Sequence, residues 1–170
     1  MTAKQNPWLS KRVWLVLVIA AGIVVIDQLT KALALANLTS FRPVPVVPNL
    51  LGWYLTFNDS AAFSIGFGAT WVFTIVSCLA VLAIIWFAPR MKTSGWAVSA
   101  GLLLGGVSGN LVDRLSKAPG FPNGQVVDFI QIPFNFPIFN FADICISGVM
   151  ALVVIRVFRG DKIGGNQSHD

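Results

Sequence analysis

Seven acidic residues occur in this chain, and every one is an aspartate. Asp27, Asp59, Asp113, Asp128 and Asp143 fall near the ends of apolar runs or in the loops between them, and Asp161 and Asp170 lie in the tail. Asn58, Asn110 and Asn140 mark the same level as the first five. Asn140 and Asp143 are three apart, as are Asn110 and Asp113, so each pair shares one face of a helix. Arg114 follows Asn110 at i+4, and Asp27 and Lys31 are also i,i+4 and suited to an ion pair. An ionisable group inside a membrane span is costly and is a functional candidate by default. The bland reading of Asp27 and Lys31 is an ion pair anchoring a helix end. That of Asp113 and Arg114 is a helix cap or a headgroup contact. Asp143 has no basic residue within one turn and is harder to explain structurally.

Two carboxyls sharing a low-dielectric site cannot both ionise. One keeps the proton and polarises a carbonyl, while the other acts as base toward water. That is aspartic-protease chemistry, and it needs no cofactor. The only histidine, His169, is in the tail, which excludes histidine triads, HExxH zinc proteases and three-histidine metal sites. Cys78 and Cys145 sit inside apolar runs, far from any second cysteine or histidine, and read as small apolar filler. Neither a metal nor a cofactor is expected.

These residues must be held by membrane helices. The chain has 170 residues, 55% of them hydrophobic and 11% charged, with a mean hydropathy of +0.74. A soluble domain carries about 25% charged residues. At about 20 apolar residues per crossing, four runs are long enough to span: about 13–35, 69–88, 95–112 and 138–158. The expected fold is an all-α polytopic membrane protein, one domain over residues 1–170. Small β or amphipathic elements are expected in two outer loops, 36–68 and 113–137. Pro43, Pro45 and Pro48 argue against a central strand early in the first loop, whereas Trp53 to Phe57 suits a short one. In the second loop, Asn123-Gly124 signals a tight turn before a strand-like Val126 to Ile132. Ala97, Gly101, Gly105 and Gly109, each four apart, make a face on which helix backbones can approach closely.

Lys4, Lys11, Arg12, Arg90, Lys92, Arg156, Arg159 and Lys162 fall on one side of these spans; Arg42, Arg114 and Lys117 fall on the other. The bias predicts both termini in the cytoplasm. The same placement reads as topology rather than as a nucleic-acid surface. The first run resembles a signal peptide in its basic start and its Ala-Leu-Ala-Leu-Ala stretch at 32–36. Asp27 and Lys31 interrupt that pattern, and a retained helix is expected. The Asn-x-Ser/Thr triplets at Asn37, Asn58 and Asn166 are expected to be fortuitous.

Five segments, in order, resemble the motifs of the lipoprotein signal peptidase (signal peptidase II) family. They are Ile26-Asp27-Gln28-Leu29-Thr30-Lys31, Phe57-Asn58-Asp59-Ser60-Ala61-Ala62-Phe63, Gly109-Asn110-Leu111-Val112-Asp113-Arg114, Val126-Val127-Asp128-Phe129-Ile130 and Phe139-Asn140-Phe141-Ala142-Asp143. The resemblance implies an intramembrane aspartic endopeptidase of the bacterial inner membrane. Such an enzyme removes signal peptides from prolipoproteins just before a cysteine carrying diacylglycerol. It implies Asp128 and Asp143 as the catalytic pair, with Asn58, Asn110, Arg114 and Asn140 orienting substrate and dyad. Asp27 and Lys31 are then structural or substrate-positioning residues. Partners are lipid-modified prolipoproteins, membrane lipids and globomycin-type inhibitors, and a monomer is expected. Ser60 stands where the family has glycine, which alters the expected turn, and residues 119–124 lengthen the second loop.

Asp113 and Asp128 both qualify by position as the partner of Asp143. Arg114, adjacent to Asp113, supplies a counter-charge that suits a permanent carboxylate. Val126, Val127, Phe129 and Ile130 surround Asp128 with apolar groups, which favours a shared proton there. Two other readings stand beside the protease: a small proton-coupled transporter and a non-enzymatic membrane scaffold. Transporter sites usually lie at the midplane, whereas these acids gather toward one face.

Overall fold

The computed structural model describes residue 8 and residues 10–59 and 70–161. The expectations for Lys4, Ser60, Lys162, Asn166, His169 and Asp170 fall outside the described residues, as does the start of the second run at residue 69. Among the described residues, four helices are long and apolar enough to cross a membrane. They are α1 (Lys11–Asn37), α2 (Thr70–Phe87, continued by a 3₁₀ turn at Ala88–Arg90), α3 (Ser94–Ser116) and α4 (Phe141–Phe158). Three strands, β1 (Val44–Val47), β2 (Leu51–Asn58) and β3 (Val126–Gln131), form one small sheet.

Helix α3 is the centre of the bundle and packs against α1, α2 and α4. Its small residues are the cause. A Cβ on Gly101 would lie 2.8 Å from the Cβ of Ile19, and one on Gly105 would lie 2.5 Å from that of Ile23. One on Gly109 would stand 2.6 Å from Asp27 Oδ2. The four-residue spacing of these glycines therefore seats α1 against α3 and ends at the first aspartate. Gly106, on the other side, would place a Cβ 2.8 Å from the Ala142 carbonyl, so α4 also approaches at backbone distance. The buried stripe of α1 runs Val13, Val16, Ala20, Ile23, Asp27, Lys31 and Ala34, the three- and four-residue spacing of one helix face. By contrast α2 buries only Thr70 and Thr74, and Trp71, Ile75, Leu79, Leu82 and Trp86 are exposed. In a helix this apolar, that is a lipid-facing surface.

The sheet order is β1-β2-β3, antiparallel throughout. Pro45 lies in edge strand β1, where a missing N–H is tolerated. Leu55, Val127 and Phe129 form a core with Ala34, near the end of α1, and so fix the sheet to that end of the bundle. A turn at 120–123, closed by Asn123 N–H donating to the Gly120 carbonyl at 2.7 Å, precedes β3, which pairs with β2. Residues 117–125 fold back on α3, with Gly124 N–H donating to the Arg114 carbonyl at 3.1 Å. Two helix limits also differ from expectation. Helix α3 runs one turn past residue 112, so Asp113 and Arg114 are helical, because Asp113 finds a cation inside the bundle. Helix α4 starts at Phe141 rather than 138, because Phe139 is bonded to Ile130 of β3 and Asn140 caps the helix.

Candidate active site

The polar residues sort into two groups by partner. The first is built on Lys31, which is fully buried on α1. Its ammonium lies 2.8 Å from Asp27 Oδ2, 2.8 Å from Asp113 Oδ2 and 2.9 Å from Asn110 Oδ1. An ammonium has three donors, and all three are used. Asp27 Oδ1 accepts from the Ala142 backbone N–H at 3.0 Å, in the first turn of α4. Asp113 Oδ2 accepts from the Val127 N–H of β3 at 3.2 Å. Gln28 Nε2 donates to Asp27, Asp113 and the Gly109 carbonyl. One buried lysine therefore joins α1, α3, α4 and β3. Its two carboxylates satisfy its charge, a requirement for burying it at all.

The second group has no such cation. Asp128 on β3 and Asp143 on α4 form no ion pair among the described residues. Their partners are amides. Asp128 Oδ2 accepts from Asn58 Nδ2 at 2.9 Å, and Oδ1 from Asn140 Nδ2 at 2.6 Å. Asp143 Oδ1 accepts from Asn110 Nδ2 at 2.8 Å, and Oδ2 from the Asn140 backbone N–H at 3.1 Å. Asn140 thus touches both carboxyls. Its own Oδ1 accepts from the Asp143 N–H at 3.1 Å, which completes a capping box at the start of α4. In the sheet Thr56 is opposite Asp128 and Asn58 opposite Val126, so Asn58 and Asp128 share a face as diagonal neighbours.

Asn58, Asn110, Arg114, Asp128 and Asp143 line one cavity of about 200 Å³. Its apolar wall is Phe73 and Val76 of α2, Val107 of α3 and Ile146 of α4. The Arg114 guanidinium lies 5.5 Å from the centre of the Phe73 ring. Burial pushes the Asp128 carboxyl up to about 7, and the negative charge of Asp143 adds to this. The bonds from Asn58 and Asn140 and the charge of Lys31 oppose it.

Of the residues singled out from sequence, five therefore meet at the cavity, and Asn140 joins two of them from behind. Asp27, Lys31 and Asp113 lie outside its lining. The cation that pairs with Asp113 is Lys31 of α1; the expected partner was the adjacent Arg114, which lines the cavity. Asp59 contributes its carbonyl, which accepts from the Thr70 hydroxyl at 2.6 Å. Sequence reasoning gave no role to Gln28, Phe73 or Thr74. The Thr74 hydroxyl holds the Pro122 carbonyl at 2.7 Å and so ties α2 to the second loop. A polar glutamine beside Asp27 within an apolar run was the one local signal available.

Four helices long and apolar enough to span, around a cavity with two carboxyls and a cation, make a membrane protein with a polar site. Two solved structures, each described as a bacterial membrane enzyme, share the fold. One superposes with a TM-score of 0.78 at 26% identity, covering 91% of this chain and 94% of that one. The other gives 0.73 at 28% identity, covering 86% and 94%. The profile of the signal peptidase (SPase) II family matches residues 19–159, and the chain belongs to that family of proteases. A lipoprotein signal peptidase of Leifsonia xyli is 44% identical over 90% of this chain and 71% of its own length. One of Mycobacterium avium is 41% identical over 89% and 83%. These relatives give the transporter reading no support.

Proposed function

We propose that the protein is an aspartic endopeptidase that removes signal peptides from prolipoproteins, cutting before a diacylglyceryl-modified cysteine. One observation carries the aspartic assignment: Asp128 and Asp143, which form no ion pair among the described residues, face a common cavity and are joined through Asn140. The pair shares one proton. The charged carboxylate takes a proton from water as the water oxygen bonds to the scissile carbonyl carbon. The protonated carboxyl gives its proton to the carbonyl oxygen. Collapse of the tetrahedral species breaks the C–N bond, and the proton taken from water passes to the leaving amine. Asp128, with its carboxyl at about 7, is suited to hold the starting proton. Asn58, Asn110 and Asn140 fix the two carboxyls, and Arg114 supplies positive charge where the carbonyl oxygen becomes negative.

The basic-residue bias supports a bacterial inner-membrane protein with both termini cytoplasmic and the cavity near the outer leaflet. A diacylglyceryl group on the substrate would lie at that depth, beside the apolar wall of α2 and α4. The enzyme works as a monomer, and globomycin-type inhibitors occupy the same cavity.

The test is incubation of the purified protein with lipid-modified and unmodified preprolipoprotein, with and without globomycin. Cleavage confined to the lipidated form and stopped by globomycin is expected. Asp128→Asn and Asp143→Asn each abolish turnover while globomycin binding persists, and the double variant is no worse than either. Equal cleavage of both substrates overturns the lipid requirement. Full activity of folded Asp128→Asn overturns the dyad.

A further inference from the structure

We propose that Lys31, one residue behind the cavity lining, is a positioning residue that locks the Asn110 amide as a permanent donor to Asp143. The inference rests on the dyad proposed above and goes on to say what keeps it oriented. An asparagine amide has an accepting end and a donating end, and rotation by half a turn exchanges them. An ammonium can only donate. Lys31 Nζ, 2.9 Å away, therefore admits only the oxygen of Asn110, and the NH₂ must point the other way, 2.8 Å from Asp143 Oδ1.

A charged Asp143 would select the same orientation without help. A neutral Asp143 would not, because its O–H can donate to a flipped amide oxygen. Asp143 changes protonation within each turnover of a shared-proton mechanism. A partner that donates and never accepts keeps Asn110 facing the same way in either state of Asp143, and the Lys31 ammonium is such a partner. Asn140 Nδ2 also donates to Asn110 Oδ1, at 3.1 Å. The orientation of Asn140 is itself set by another one-way donor, the Asp143 backbone N–H. Around the dyad, two amides are therefore held by two groups that can only donate. The Lys31 ammonium is held in turn by Asp27 and Asp113, fully buried on either side of it. In this arrangement those two aspartates serve catalysis by aiming a lysine that touches no substrate.

Lys31→Met alone would leave two buried carboxylates without a cation. The informative variant is Lys31→Met/Asp113→Asn, which removes one charge of each sign. Asp113→Asn alone, which keeps the lysine on Asn110, is the comparison. Lipidated preprolipoprotein is the probe, with kcat and KM measured separately and folding followed by thermal unfolding in detergent. Asp113→Asn is expected to lose only part of its activity, within about 10-fold. The double variant is expected to lose about 100-fold in kcat, the scale of one oriented donor, with KM unchanged. Double-variant kcat equal to that of Asp113→Asn overturns the proposal and leaves Lys31 a purely structural role. If the double variant does not fold, Asn110→Asp decides: it still accepts from Lys31 but cannot donate to Asp143. Its kcat should fall by the same factor, and wild-type kcat in that variant overturns the proposal. Asp128→Asn run in parallel separates this outcome from failure of the dyad itself, since that variant turns over only if the dyad is wrong.

Discussion

Replacing Asp128 by asparagine is expected to remove a pH-dependent loss of stability, so that the variant gains on wild type as pH rises. The residue is 1% exposed, and its carboxyl lies at about 7 against an ordinary value of 3.8. The folded state therefore holds this proton more tightly than the unfolded state. Stability from that preference is fully present below the unfolded value and is lost as pH rises through about 7. Between about pH 5.5 and about pH 8 the loss is on the order of 2 kcal/mol, because the unfolded carboxyl is already charged at the lower pH. Asparagine keeps the shape and has nothing to titrate. The difference in melting temperature between Asp128→Asn and wild type should widen by about 4–8 °C across that range. Differential scanning fluorimetry in detergent at the two pH values measures it, and titrating groups that do not interact with Asp128 cancel in the difference. In an Asp143→Asn background the widening should shrink, because the neighbouring negative charge is one cause of the raised value. Parallel stability curves for wild type and Asp128→Asn would refute the reasoning, since they would mean that Asp128 is charged throughout.

The same carboxyl sets the expected pH–rate profile. If Asp128 must begin each cycle protonated, turnover of lipidated substrate falls as pH rises through about 7 and is restored on returning to lower pH. Gly105→Ala should cost about 1–3 kcal/mol by overpacking, because its Cβ would meet Ile23 at 2.5 Å. Gly22→Ala, with nothing within 4 Å, should stay within about 0.5 kcal/mol or stabilise, and the two are compared by thermal unfolding. Reporter fusions after residue 92 should behave as cytoplasmic and fusions near residue 120 as external; the reverse pattern would turn the cavity toward the inner leaflet.

The helices were legible because lipid contact demands long apolar runs, and length alone separates them from strands. Strand β2 was legible from Trp53 to Phe57, and the glycine ladder of α3 from its spacing. The pairing of β2 with β3 was not, because it joins segments about 70 residues apart and no local pattern encodes a partner. The turn signal at Asn123-Gly124 and the strand-like stretch after it were legible, but not which strand that stretch would join. Composition and motif order brought out the polar residues, yet their sorting depended on reach across helices. Asp113 has Arg114 beside it in sequence, but its side chain meets Lys31 from α1. Adjacent helical residues point about 100° apart, so sequence neighbours are poor guides to charge partners.

The spacing of Asn140 and Asp143 carried more than a shared helix face. Three apart at the start of a helix is the geometry of a capping box, and both of its bonds are present. Asn140 ends the extended segment bonded to β3 and begins α4, so the same residue decides where the helix starts and where Asp143 stands. The helix N-terminus also favours negative charge on a side chain in its first turn, which suits Asp143 to the part of the base in the proposed mechanism. Asp27 fixes that turn from α1 by accepting the Ala142 N–H. Replacing Asn140 would release the cap, the bond to Asp128 and the bond to Asn110 together. Folding determinants and site geometry coincide at this residue because the helix start that carries Asp143 is tied by hydrogen bonds to two buried aspartates, Asp27 through Ala142 and Asp128 through Asn140.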